Sequence, residues 1–474
     1  MGKQTEKPKP NLETDRTVKE ITWIDLTDFN KWSGTLTGIQ RVIYNLCIFY
    51  SKQNNIKFFT YSKAGIFTES DFHIKDVYKQ PVDNKLSMPG AVTLTTRIRS
   101  KLKRELIITL KLLGSFVPGR YKKYIKQKAI RLRNLIRKYK LSREKLADPK
   151  VVHHPFNTGD TVLILGASWA FEEARMLTDI HTIKTDAQIK VVNLVYDMIP
   201  VLFPQYFGPG FGAFFTKHML DTASVSDGIL AISESTKKDF IEFQNDWSLP
   251  EIPVEVIRLG DDINAKAAPK KLSVNQPGMP ALKKGNYILT VGTVEIRKNH
   301  LLLYSTWKEA IRNNIDIPFL VIVGRPGWLT HDLIYQIEND PVSKGKIIIL
   351  TNVKDEDLSW LYTNCKFTIY PSFYEGWGLP IAESLSYGKL CLASETSSMQ
   401  EIAGDMLDYF NPYSVDNLIQ LIKIYTNESA LLKKEQTIRK KYRPQTWQKT
   451  FHDSEDALRN IENSLSKLED FTKL

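Results

Sequence analysis

The sequence has the composition of an ordinary globular protein. Its 474 residues are 42% hydrophobic and 25% charged, and this length exceeds what one hydrophobic core usually supports, so two domains are expected. Three scattered cysteines without a CxxC pair argue against a disulfide framework or a thiolate zinc site, and they favour a reducing, cytosolic compartment. No stretch reaches the roughly 18 apolar residues needed to span a bilayer.

The net charge of +12 comes from one segment of the chain. Residues 97–150 hold 19 lysines and arginines against three acids, a local charge of +16, so the rest of the chain carries −4. This segment lacks a recognisable pattern of aromatic residues for stacking on bases, which disfavours nucleic acid as the partner.

The chain begins with a polar stretch, residues 1–18, which has no apolar core for a signal peptide and is predicted to be a disordered tail. Short apolar runs then alternate with helical stretches, a pattern typical of a parallel sheet covered on both faces. The predicted strands of this first domain, residues 19–262, are Ile21–Leu26, Thr161–Leu165, Ile189–Tyr196, Gly228–Ile232 and Val254–Ile257.

A basic insertion, residues 95–150, interrupts the first domain. Apolar residues recur in it near helical spacing, which predicts two amphipathic basic helices broken near residues 114–119. We expect Arg131, Arg133, Arg137 and Lys138 to contact an anionic membrane or the acceptor. Two solvated helices packed on the sheet domain, or a site for an acidic polysaccharide, are the alternatives.

A second α/β domain is predicted over residues 286–440. Residues 263–285 are rich in Lys, Ala, Pro and Asn without apolar periodicity, which indicates a linker between the domains. A helical pattern follows in residues 441–474. The predicted strands of the second domain are Tyr287–Val291, Phe319–Val323, Lys346–Leu350, Phe367–Tyr370 and Leu390–Ala393.

The most informative segment runs from Tyr370 to Gly388 and reads YPSFYEGWGLPIAESLSYG. A strand should end at Tyr370, with Glu375 in the following loop and Pro380 in the first turn of a helix that Gly388 closes. Glu383 then lies about one turn into the helix, so both carboxylates can face one crevice. Free amides of residues 376–379 at the helix start would favour a phosphate there.

This string resembles the Glu-x7-Glu signature of family 4 glycosyltransferases, which have the retaining GT-B architecture of two Rossmann-like domains facing a cleft. The resemblance implies that Glu375 holds hydroxyls of the transferred sugar and that Glu383 contacts the nucleotide ribose. It also implies that the backbone of Gly376, Trp377, Gly378 and Leu379 borders the donor.

Other stretches resemble the same family in the same order. Residues 291–300 are similar to the loop that grips the donor diphosphate, which points to Gly292, Thr293, Arg297 and Lys298. Family members more often carry arginine directly after the glycine; Thr293 stands there, so Arg297 is expected to supply the charge. Residues 320–328 and 394–404 resemble neighbouring segments that shape the fold.

The first domain contributes two further stretches. Residues 34–41 resemble a glycine-rich loop beside the donor phosphates, with Gly38 as its candidate contact. Val195-Tyr-Asp197 occupies the place where many relatives carry a His-Asp pair beside the transferred sugar. Tyr196 stands where the histidine would be, so Asp197 is the expected catalytic residue.

The resemblance implies transfer of a hexose with retention of configuration and without metal or cofactor, onto a glycan or lipid-linked glycan. Mannose from GDP-mannose is the first choice, by likeness to bacterial mannosyl- and rhamnosyltransferases of surface-polysaccharide assembly; dTDP-rhamnose or a UDP-sugar is the alternative. A sugar-nucleotide epimerase of the same shape is a less favoured alternative. The expected location is the cytoplasmic face of the plasma membrane, as a peripheral protein.

Three weaker patterns are interpreted as structural. Gly208-Pro-Gly-Phe-Gly212 hints at a dinucleotide-binding fingerprint, but no strand is predicted to lead into it. Asp355-Glu-Asp357 resembles an acidic metal motif, yet acids at the start of a helix explain it. His153 and His154 have no third ligand at metal spacing, so no metal site is predicted.

Overall fold

A computed structural model describes residues 20–32, 38–62, 64–72, 152–169, 175–261, 271–274 and 279–472 of the chain. The predicted disordered tail and the basic insertion of residues 95–150, with Arg131, Arg133, Arg137 and Lys138, lie outside the described residues.

The first domain is built on a sheet that contains seven strands within the described residues, in the order β3-β2-β1-β4-β5-β6-β7. Neighbouring strands run parallel except for β2 and β3, which form an antiparallel pair at one edge. The strands are β1 (Thr22–Asp25), β2 (Ile56–Tyr61), β3 (Phe67–Ser70), β4 (Thr161–Ile164), β5 (Lys190–Val195), β6 (Gly228–Ala231) and β7 (Val254–Val256).

Helices cover both faces of this sheet, which explains why its central strands are almost continuously apolar. All four residues of β4 and all four of β6 are buried. The helices are α1 (Thr27–Lys31), α2 (Ile39–Tyr50), α3 (Met176–Ala187), α4 (Ile199–Leu202), α5 (Phe211–Val225) and α6 (Glu234–Trp247), with a 3-10 turn at Pro204–Tyr206.

The second domain has a parallel sheet of six strands within the described residues, in the order β10-β9-β8-β11-β12-β13. Its strands are β8 (Tyr287–Val291), β9 (Phe319–Val323), β10 (Ile347–Leu350), β11 (Thr368–Tyr370), β12 (Cys391–Ser394) and β13 (Tyr409–Phe410). Its helices are α7 (His300–Arg312), α8 (His331–Asn339), α9 (Asp355–Asn364), α10 (Leu379–Ser386), α11 (Met399–Ala403), α12 (Val415–Thr426) and α13 (Glu428–Lys441), with 3-10 turns at Ile296–Lys298 and Gly404–Met406.

The last helix, α14 (Trp447–Thr472), returns to the first domain. Phe451 packs its ring edge against Tyr50 of α2, and the Tyr50 hydroxyl lies 2.7 Å from that of Ser454. Ile461 lies so close to Gly228 that a Cβ there would meet its side chain at 2.5 Å. The helix α14 therefore packs against the first domain.

Three strands, β2, β3 and β13, were not predicted from the sequence. β3 is the edge strand of the first sheet, with β2 next to it, and β13 is the edge strand of the second, with only two residues. β2 pairs with β1, which is distant in sequence, and β13 is very short; local patterning reports neither feature.

The weaker patterns take structural roles in the described residues. Asp355 to Asp357 form the first turn of α9, and Asp357 accepts a hydrogen bond from the backbone N–H of Ser273, at 2.7 Å. The predicted linker therefore docks on the second domain at Ser273. Gly210 precedes α5, and the segment leading to it is the 3-10 turn of residues 204–206 rather than a strand.

Candidate donor site in the cleft

The loop after β11 and the helix that follows it form the centre of the site. Gly378 has a φ of +122° and precedes α10, and no side chain caps this helix start. Leu379 and Pro380 form its first turn, and Gly388 follows its end with a φ of +66°. Uncapped amides and the positive end of the helix dipole leave a favourable position for an anion.

Glu375 is the most heavily paired acid of the cleft. Its carboxylate lies 2.6 Å from the Arg297 guanidinium and 2.6 Å from the Lys298 ammonium, and it accepts a hydrogen bond from the Tyr370 hydroxyl at 2.9 Å. Burial by itself would raise the pKa of Glu375, but Arg297 and Lys298 outweigh that and lower it to about 2. Glu375 is therefore an anion throughout the physiological pH range.

Arg297 and Lys298 lie on a 3-10 turn that directs both side chains towards the Glu375 loop. Arg297 also contacts Glu295 at 2.8 Å and donates to the carbonyl of Tyr374 at 2.9 Å. Burial lowers the pKa of Lys298, and the charge of Glu375 opposes this shift. Two acids and two bases thus form one buried group with no net charge.

The start of the loop after β8 is open to solvent. Thr293 is exposed, and Gly292 has a φ of +150° that side chains rarely adopt. A Cβ on the neighbouring Gly324 would lie 1.9 Å from the Gly292 carbonyl oxygen. The close approach of this loop to the end of β9 therefore requires glycine at position 324, and the φ of Gly292 favours glycine there as well. The side chain of Lys298 lies beside Gly292, since its Cε would be 3.8 Å from a Cβ at that position, whereas Arg297 contacts Glu295 and Glu375.

The first domain contributes Asp197, which follows β5. Its carboxylate accepts the backbone N–H of Ile199 at 3.0 Å. Burial raises the pKa of Asp197, whereas the nearby Arg297 lowers it and Glu375 raises it further. Asp197 therefore lies within electrostatic reach of the cluster on the opposite domain.

Tyr196 does not take the place of a catalytic histidine. Its side chain is only 8% exposed and its hydroxyl donates to the carbonyl of Leu165 at 2.8 Å. Tyr196 therefore enters the core, whereas Asp197, the next residue after β5, is partly exposed.

The two domains touch at Gly376. A Cβ at this position would lie 2.1 Å from the carbonyl oxygen of Tyr196 and 3.0 Å from the Cβ of Asp197. To one side, the Tyr374 hydroxyl lies 2.7 and 2.9 Å from the two carboxylate oxygens of Asp239, which is part of α6. The structure is therefore a closed arrangement of the cleft.

Glu383 lies in α10, eight residues after Glu375, and its carboxylate joins both domains. One oxygen accepts the Tyr362 hydroxyl at 2.9 Å, and the other lies 3.3 Å from the guanidinium of Arg41 in α2. Burial raises the pKa of Glu383, and Arg41 opposes that shift most strongly. The sequence placed Arg41 at the end of the stretch that resembles a glycine-rich loop beside the donor phosphates, without a contact to Glu383, and it gave no role to Tyr362.

Of the remaining predicted residues, Trp377 belongs to this loop, whereas no contact in the part of the chain that the structure describes places Gly38 beside it. Trp377 is 5% exposed and lies under Arg258, whose guanidinium carbon is 5.6 Å from the indole ring centre. Ser398, in the stretch expected to shape the fold, donates to the carbonyls of Glu375 and Trp377 at 2.9 and 2.7 Å. Gly38 is exposed at the start of α2, and residues 33–37 before it lie outside the described residues.

Within the described residues, no cluster of three or more His, Cys, Asp or Glu side chains is placed to bind a metal ion. The helices in the same part of the chain include none that is both long and apolar enough to cross a membrane.

Comparisons with known proteins show which family and which fold the chain resembles. Residues 276–443 match the family model of glycosyl transferases group 1, so the second half of the chain carries a glycosyltransferase domain of that group. The fold is GT-B-like: the crystal structure of Anabaena Alr3699/HepE in complex with UDP superimposes with a TM-score of 0.53 at 13% identity, over 93% of this chain and 100% of that one. The predicted resemblance and fold class are confirmed.

Relatives of known function are bacterial. The O-antigen chain mannosyltransferase B of Escherichia coli is 28% identical over 228 residues, 48% of this chain and 58% of that protein. The serotype-specific mannosyltransferase WbdA of Escherichia coli is 26% identical over 271 residues, 56% of this chain and 33% of that protein. The chain thus spans less than two thirds of the length of these relatives.

Proposed function

We propose that this protein is a glycosyltransferase that transfers a hexose from a nucleotide-sugar donor onto a bacterial surface polysaccharide, growing or lipid-linked, with retention of configuration. The observation that carries the proposal is the buried group of Glu375, Arg297 and Lys298 beside the uncapped start of α10, faced by Asp197 from the other domain. Cations, free amides and a helix dipole at one place are suited to a leaving diphosphate.

Each residue has a distinct part in this proposal. Arg297 and Lys298 stabilise the charge that develops on the diphosphate, and no metal ion is needed for that role. Glu375 accepts hydroxyls of the transferred sugar, while Asp197 lies on the side from which the acceptor enters. Closure of the cleft excludes water and so disfavours hydrolysis of the donor.

GDP-mannose is the proposed donor, and mannose is the sugar transferred. The support is the likeness to proteins described as O-antigen mannosyltransferases, at 28% and 26% identity. A UDP-sugar is the second candidate, because the superimposed Anabaena protein was solved with UDP. dTDP-rhamnose is the third, since a few pocket contacts separate these hexoses.

A panel of GDP-mannose, dTDP-rhamnose and UDP-sugars tests the proposal, first by thermal shift and then by release of the nucleoside diphosphate. A ligand that binds only the folded state raises the melting temperature by mass action. We expect one donor to do so and to lose its sugar to an added glycan acceptor. Conversion of a donor to its epimer without acceptor would instead favour the epimerase, and a panel without any binding would refute both.

We further propose that the enzyme works at the cytoplasmic face of the plasma membrane, held there by the basic insertion. The support is the charge segregation of the sequence: +16 in residues 97–150 and −4 elsewhere. Each Lys or Arg near an anionic surface contributes about 1 kcal/mol, so a few contacts suffice for peripheral binding.

A further inference from the structure

Glu383 has two carboxylate oxygens with partners of different kinds. The Tyr362 hydroxyl, 2.9 Å away, comes from α9 of the same domain. Tyr362 is itself fixed, because its ring stacks on Tyr387 with centroids 5.1 Å apart and planes within 6°. This partner therefore stays in place whether the cleft is open or closed.

The second partner comes from the opposite domain. Arg41, the third residue of α2, places Nη1 at 3.3 Å from the other Glu383 oxygen, across 342 residues of sequence. The contact requires the approach of the two domains that is seen at Gly376, where a Cβ would meet the Tyr196 carbonyl oxygen at 2.1 Å. Separation of the domains would remove Arg41 and leave Glu383 with Tyr362.

The cost of a buried carboxylate makes this contact important. The side chain of Glu383 is 17% exposed, and a desolvated acid favours its neutral form unless a cation lies close. The charged and titratable groups that face it are Arg41 of α2, Tyr362 and Asp355 of α9, and Tyr387 after α10. Arg41 is the one cation of that set, and Asp355 opposes ionisation.

We infer that Arg41 is a closure-dependent positioning residue: it keeps Glu383 ionised in the closed cleft, so that this carboxylate accepts the ribose hydroxyls of the donor nucleotide. The inference rests on the proposed function, since it concerns recognition of a nucleoside diphosphate at the same site. An ionised carboxylate accepts hydrogen bonds at both oxygens, whereas its protonated form must donate from one of them. Nucleotide binding is thereby favoured in the closed state.

Calorimetric titration of GDP, UDP and dTDP between pH 5 and pH 8 tests this without any acceptor. In wild-type protein, affinity falls as the pH falls through the pKa of Glu383. Arg41→Gln removes the neighbouring cation, so that pKa is higher and the fall begins at higher pH. We expect a shift of about one pH unit and about tenfold weaker binding in the acid range. The titration of the nucleotide phosphates is common to all variants.

Four further variants complete the design. Arg41→Lys retains the positive charge and should recover most of the pH shift, and it decides the question if Arg41→Gln fails to fold. In a Glu383→Gln background, Arg41→Gln should have little further effect, because the two residues act through one contact. The control is Lys217→Gln, which removes an exposed ion pair with Asp221 on the same domain and should leave binding unchanged.

The outcomes separate the two proposals. Nucleotide binding by Arg41→Gln within twofold of wild type, with the same pH profile, would overturn the role of Arg41 and leave the proposed function intact. Equal losses in Arg41→Lys and Arg41→Gln would also overturn it, since charge would then not be the cause. Failure of wild-type protein to bind any of the three nucleotides would refute the proposed function itself.

Discussion

Gly376→Ala tests whether the closed cleft is the arrangement that transfers sugar. The added Cβ would lie 2.1 Å from the Tyr196 carbonyl oxygen and 3.0 Å from the Cβ of Asp197. Carbon atoms and their non-bonded neighbours are ordinarily about 3.5 Å apart, so the two domains would have to separate by about 1 Å or more at this point. Gly376 is not among the glycines with positive φ, so alanine itself is compatible with the backbone.

The expected loss follows from that displacement. Misplacement of reacting groups by about 1 Å can cost about 100-fold in rate, which corresponds to about 2.7 kcal/mol in the activation free energy. Affinity for the nucleoside diphosphate should weaken by no more than it does in Arg41→Gln, because the second-domain contacts of the nucleotide remain. The predicted signature is therefore a large fall in kcat with a smaller change in nucleotide binding.

The assay is transfer rate together with calorimetric nucleotide affinity and melting temperature. Gly345→Ala is a suitable control: Gly345 has a φ of +80° and nothing within 4 Å of an added Cβ. That substitution should cost about 1 kcal/mol of folding stability through backbone strain and leave transfer unchanged. Transfer by Gly376→Ala within threefold of wild type would show that this approach of the domains is not required for catalysis.

Lys298→Ala and Glu383→Ala should each raise the activation free energy of transfer by about 2–4 kcal/mol, which lowers the rate roughly 30- to 1000-fold, with the fold intact by circular dichroism. Lys217→Ala, the control, should leave the rate unchanged. Rates within twofold of wild type in the first two variants would contradict the site assignment. EDTA should leave the rate largely unchanged, since basic side chains balance the diphosphate, and loss of activity that Mn²⁺ or Mg²⁺ restores would argue against this mechanism. Binding to anionic vesicles should weaken as salt rises, because charges are screened beyond about 8 Å at physiological ionic strength. It should weaken further in Arg131→Glu/Arg137→Glu. Equal binding to neutral and anionic vesicles would contradict the electrostatic role of the insertion.

The sequence predicted those strands and helices whose burial produces a local pattern of apolar residues. Phe319–Val323 and Tyr287–Val291 are strands with the predicted limits because both are apolar runs covered on two faces. The helix of residues 379–386 was indicated by Pro380 and Gly388, which mark its first turn and its end. β2 escaped prediction: Ile56–Tyr61 contains Lys57, and its partner in β1 lies more than 30 residues away.

The site was predictable only within each domain. The spacing of Glu375 and Glu383, and the adjacent Arg297 and Lys298, are properties of continuous stretches, so the sequence indicated them together. Contacts across the cleft are not properties of any continuous stretch of sequence. Arg41 reaches Glu383 across 342 residues, and no periodicity or spacing in one sequence states which two distant surfaces meet.

The balance of charge explains why both domains are needed for the donor. Glu295 and Glu375 already neutralise Arg297 and Lys298, and burial, with Glu375 acting in the same direction, raises the pKa of Asp197 close by. A diphosphate is attracted only weakly by cations that are already paired with carboxylates. The attraction becomes stronger if the bound sugar forms hydrogen bonds with Glu375 and so weakens the ion pairs of Glu375 with these cations. The additional positive potential then comes from the uncapped amides before α10, because Arg41 is itself paired with Glu383. Those amides belong to the second domain, so the first domain contributes through Arg41, whose charge keeps Glu383 able to accept the donor's ribose hydroxyls when the cleft closes.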